Sequence, residues 1–189
     1  MLRLTPFLAL GLTTACTFVT PAPPEVDIGA FNDETLRVNA LPATDADDLP
    51  TGSVEYTGQF GSNAFVDGQD GHALIGDMEM TVAFDDATVD GTFDNVVLIT
   101  DGADNAAVGG TLDIAGFETE GAIAATASGT LAFDDGFETA ESDMVLFLNG
   151  DVLNDLFAGD AVGGELTGSG SGDVDVLLDG NGSWYGTAD

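Results

Sequence analysis

The chain has 189 residues, room for about one to one and a half ordinary domains, and sets 34 Asp and Glu against two Arg, a formal charge of −32. A 44% hydrophobic share and a mean hydropathy of +0.19 give it the means to bury a core, which excludes a disordered acidic tail. Two cations cannot neutralise a phosphate backbone, so nucleic acid is excluded, and acidic membranes and anionic substrates are disfavoured.

Residues 1–15 read as a secretory signal: Arg3 is the positive region and Phe7 to Leu12 a short apolar core. That core is too short to span a bilayer as a helix, and no transmembrane segment is expected in the mature chain. Thr13-Thr14-Ala15-Cys16 resembles a bacterial lipobox, with Thr13 where an aliphatic residue is usual. Cys16 is the sole cysteine, which rules out an intramolecular disulfide and makes it the expected lipidation site. Ordinary cleavage after Ala15 is the alternative. Thr17, in place of Asp, implies sorting to the outer membrane or cell surface by the bacterial rule.

Residues 16–50 read as a lipid-anchored, acidic, Pro-containing linker. All six prolines lie at or before Pro50, and Asp45, Asp47 and Asp48 add charge. Part of it, from Phe31 to Leu41, is placed to dock on the following domain, with Thr35 to Asn39 as a candidate strand.

From Thr51 to Asp189 there is no Pro, Lys or Arg, while 24 of the 26 Gly and 27 of the 34 acids fall there. Its hydrophobic period is two. Met78, Met80, Val82 and Phe84 alternate with polar residues, Asp85 to Thr88 form a turn, and Val89, Gly91 and Phe93 alternate again, predicting a β-hairpin. Val54, Tyr56, Gly58 and Phe60 repeat the pattern, as do Leu112 and Ile114, then Ile123, Ala125, Ala127, Leu131 and Phe133. Met144 to Leu148 is a continuous apolar run, followed by candidate strands near 163–169, 173–179 and Ser183 to Tyr185. Only 152–158 offers helical spacing.

The predicted fold is all-β: a single antiparallel up-and-down barrel of about eight strands over 51–189, soluble, with strand glycines supplying curvature. Aromatic girdles cannot be built from one Trp and two Tyr, so the acids are expected outside and the apolar residues inside. The small inward row Ala125, Ala127 and Gly129 either leaves a cavity or makes room for large neighbours such as Phe133, Phe147 or Met80.

Catalytic chemistry is sparse. His72, the single histidine, sits in a turn, and no His/Cys set for zinc can form. Close carboxylate pairs suited to a glycan hydrolase are inevitable among so many acids, which empties the signal. Calcium is the more physical cofactor, with Asp67, Asp70, Asp101 and Asp104 in turns as candidate ligands. Turns also favour Asp for backbone reasons alone. The prediction is therefore a protein with no catalytic residues and no required cofactor.

Three segments together resemble the β-barrel domain of transferrin-binding protein B and related surface lipoproteins. Leu49 to Gly58, with Gly52, Tyr56 and Gly58, is similar to the family's opening strand. Met80 to Phe84 with Val89 to Phe93 resembles its hairpin. Phe157, Gly159, Ala161, Gly163 and Gly164 match an element near the end of its barrel. The resemblance implies a surface-anchored barrel that binds a protein or small solute. A single barrel of this length leaves no room for the family's handle domain, so no transferrin-contacting residue is transferred. A salt-adapted structural surface protein, calcium-stabilised or not, is the alternative reading.

Overall fold

The computed structural model describes residues 25–134, 139–155 and 159–188; the expected signal, Cys16 and Phe157 lie outside them. Ten strands make one antiparallel sheet: β1 (Ser53–Val66), β2 (Gln69–Ala83), β3 (Thr88–Thr100), β4 (Ala106–Gly109), β5 (Leu112–Thr119), β6 (Ala122–Asp134), β7 (Thr139–Asp155), β8 (Gly159–Gly172), β9 (Val176–Leu178) and β10 (Gly182–Ala188). Neighbours in sequence pair along the sheet, and β10 then lies between β8 and β1, closing the ring. β4 and β5 share the place between β3 and β6, and β9 and β10 share that between β8 and β1. Eight ring positions result, the expected up-and-down barrel.

The hairpin predicted at 78–93 forms with Met80 opposite Gly91 and Val82 opposite Val89. Two tight turns use left-handed pairs, Asp67-Gly68 and Glu120-Gly121, as a two-residue hairpin with type I′ twist requires.

Alternation sorts the side chains. Tyr56, Phe60, Met78, Met80, Phe93, Leu112, Leu146 and Trp184 point inward and are buried. Phe60 and Phe93 stack with centroids 4.3 Å apart, and the Trp184 indole Nε1 donates to the Glu165 carbonyl. The small row is inward at Ala125 and Ala127, and Met80 is among the large residues that share the interior. Phe147 is not: it points outward and is 51% exposed. With acids on the outer positions and a filled apolar interior, the polarity is that of a barrel wetted on its outside, the reverse of a membrane barrel. No helix among the described residues is long and apolar enough to cross a membrane.

Two expectations are corrected. Thr35 to Asn39 is helix, within α1 (Ile28–Asn39). The Asp27 side chain caps it by accepting from the Ala30 amide, and Phe31, Thr35 and Val38 form one buried stripe at helical spacing. Residues 28–44 are consequently no free spacer. Val38 packs on Leu153 and Ala161, the Phe31 ring lies 6.1 Å from that of Tyr185, and Ala43 bridges to Leu153. Bare backbone permits this approach: a Cβ on Gly61 would stand 2.7 Å from the Phe31 ring. The second correction concerns 152–158, whose described part, Val152 to Asp155, completes β7. Val152 faces the barrel interior and Leu153 faces the helix, so both are buried and alternation disappears.

Candidate functional site

With the interior occupied, ligands have the ends and the outer wall. The best-formed concavity is a hollow of about 420 Å³ at one barrel end, where the start of β2, the end of β3 and the β9–β10 turn meet the first turn of α1. Its polar lining is Asp70, His72, Asp101 and Asp179; Ile28, Phe65, Ile75 and Ile99 supply the apolar part. The sequence places these groups through turn chemistry. Gly71 adopts φ +83°, and its bare backbone faces the Asp101 carboxylate, whose Oδ2 would lie 3.7 Å from a Cβ. The Gly71 carbonyl accepts from the Asp101 amide at 2.9 Å, pinning the two loops. His72 Nδ1 lies 3.0 Å from Thr100 Oγ1, a hydrogen bond across the β2–β3 pair.

Of the four aspartates expected around calcium, Asp70 and Asp101 line this hollow and Asp67 and Asp104 do not. Asp67 instead accepts from the Asp175 amide at 3.0 Å and fixes the start of β9. Among the described residues no group of three or more His, Cys, Asp or Glu is gathered for a metal ion. Asp179 was not anticipated; it follows β9 directly, and only the closed topology brings it beside β2.

At the opposite side of α1, Arg37 gathers two carboxylates. Its Nε and Nη2 donate to Glu34 at 3.0 and 2.7 Å, and its Nη1 donates to Asp155 on β7. The hydrogen bond to Arg37 holds the Glu34 carboxyl below its usual value, and both carboxylates raise the guanidinium. Burial pushes up the hydroxyls of Tyr56 and Tyr185, with Asp160 adding to the first and Glu34 to the second. These contacts fasten the helix to the barrel. They face no cavity.

The outer wall is two-sided. On β1–β3 each of three adjacent rows carries acid: Glu55–Thr81–Asp90, Thr57–Glu79–Thr92 and Gln59–Asp77–Asp94. On β6–β9 the rows Thr126–Phe147–Thr167 and Ser128–Val145–Ser169–Leu177 carry none.

Comparison of the chain with family models, curated proteins and solved structures returns no match. The positions that carry the resemblance to the transferrin-binding protein barrel lie on structural elements. Tyr56 and Gly58 are on β1, with Gly58 against the Tyr185 carbonyl of β10, and Gly159, Ala161, Gly163 and Gly164 are on β8. Gly52, at φ +75°, turns the chain into β1.

Proposed function

We propose that the protein is a non-catalytic binding module, anchored through Cys16 at the outer membrane or cell surface, whose barrel takes a cationic partner or solute at the hollowed end. The observation that supports this reading is the hollow itself: carboxylates of Asp70, Asp101 and Asp179 over an apolar floor, beside an interior that is full. Cations with an aliphatic body, such as polyamines or Lys- and Arg-bearing loops, match that lining by charge and by contact. The resemblance to transferrin-binding surface lipoproteins agrees with an exported binding barrel. Calorimetric titration of the full chain with spermidine, and separately with CaCl2, tests the reading. Asp70→Asn with Asp101→Asn should weaken whichever ligand binds by about tenfold or more, in line with losing hydrogen bonds to charged groups. Unchanged heats in that double variant would exclude the hollow.

A second reading, a salt-adapted structural surface protein, is favoured by one relationship: Asp77 stands directly opposite Asp94, in a barrel sequence that has no cation. In that reading solvent cations are the partner, and spermidine gives no saturable heat.

A further inference from the structure

The uncharged wall is the unexpected part of this surface. A chain with 27 acids after residue 50 leaves two adjacent rows on β6–β9 without a carboxylate and exposes Phe147 (51%), Val145 (41%) and Leu177 (55%) among Ser and Thr. We infer that this wall is the contact face for a second copy of the same chain.

Charge selects the occupant. A cationic partner gains most on β1–β3, where every row carries acid, and gains least on the one wall that carries none. A body as acidic as this one can approach closely only where neither surface presents carboxylates. Two copies meeting by their β6–β9 walls satisfy that condition from both sides, and they turn their acidic β1–β3 walls away from each other. Self-complementary contact of one patch with itself is the ordinary two-fold arrangement. The Ser and Thr hydroxyls between the apolar side chains supply donors and acceptors without charge. Such an interface has a distinctive salt response: added salt screens the repulsion between the copies and leaves the apolar contact intact, so association tightens.

Sedimentation velocity on the exported full chain, with Cys16→Ser to keep acylation out, tests this between about 0.1 and about 1 M NaCl, where the Debye length falls from about 10 to about 3 Å. The expected result is a monomer–dimer equilibrium that tightens with salt. Val145→Ser with Phe147→Ser should weaken it at least tenfold, while Glu79→Gln on the acidic wall should not weaken it. Because both serines replace exposed side chains, thermal unfolding should show a folded variant. An independent check is Thr167→Cys on the same wall, expected to give an intermolecular disulfide under mild oxidation. A monomer at every salt concentration, a dimer indifferent to the double substitution, or one that loosens with salt would overturn the inference. Binding of the monomer to phosphatidylcholine vesicles through Phe147 would assign the wall to a lipid surface and overturn it equally.

Discussion

Arg37 Nη1 donates to Asp155 Oδ2 across 118 residues of sequence, joining the one described cation of the chain to the end of β7. The Asp155 side chain is almost fully buried and the Arg37 side chain is 40% exposed, so the bond lies where α1 meets the barrel. Replacing Arg37 by Ala should destabilise the protein by about 1.5–3 kcal/mol, the range for a hydrogen bond to a charged group. Arg37→Lys keeps the charge without the fork and should recover part of that loss. Urea unfolding checks both.

The same contact sets a pH response. Glu34 is held below its ordinary value by Arg37, so its contribution to stability is complete above the unfolded-state value near 4.5 and is lost as pH falls through the lower folded value. Glu34→Gln should remove that acid limb. The stability difference between wild type and variant should therefore shrink steadily below about pH 4.5.

Tyrosine ionisation gives a prediction at the other extreme. Burial raises Tyr56 and Tyr185 above their ordinary value of 10.0, so stability drawn from their neutral forms persists below pH 10 and falls as pH rises through the higher folded values. Tyrosinate absorbance should appear together with alkaline unfolding. A separate step at pH 10 in the folded protein would contradict the buried placement.

Barrel curvature rests on bare backbone at particular strand positions. A Cβ on Gly58 would stand 2.0 Å from the Tyr185 carbonyl oxygen, whereas one on Gly109 would meet nothing closer than 3.6 Å. Gly58→Ala should therefore cost about 1–3 kcal/mol or more through overpacking, and Gly109→Ala should cost little. Thermal unfolding of the two variants distinguishes them directly.

Asp77 and Asp94 face each other across β2 and β3, and Asp77 accepts from Gln59 Nε2 at 3.2 Å and Asn95 Nδ2 at 3.1 Å. Like charges directly opposite destabilise a sheet. Asp94→Asn should accordingly stabilise the protein by about 0.2–1 kcal/mol at low salt. That gain should fade as added NaCl shortens the screening length, while the wild-type melting temperature rises.

The sequence was most legible where one face of a strand is buried and the other wet. Met78, Met80 and Val82 alternate cleanly, and their hairpin and its partners in the ring follow. It was least legible where both faces are covered or both are apolar. Val152 and Leu153 are buried on opposite sides of one strand, which mimics helical spacing. Val145 and Phe147 make β7 look buried on both faces, although both are outward and exposed. In α1 the signal was present, with an Asp27 cap and a Phe31, Thr35, Val38 stripe, but β-branched Thr35 and Val38 in a short window read as strand. Of the hollow, Asp70 and Asp101 could be picked out as turn acids. Asp179 could not, because its position depends on barrel closure.

The central claim is that binding takes place at the hollowed barrel end, outside a filled interior. Its most direct test is a ¹H–¹⁵N spectrum of the full chain titrated with spermidine. The account predicts saturable shifts at the amides of Asp70, Gly71, His72, Asp101 and Asp179, with the Trp184 indole unmoved. Shifts centred on Trp184 and Phe93, or none that saturate, would contradict it.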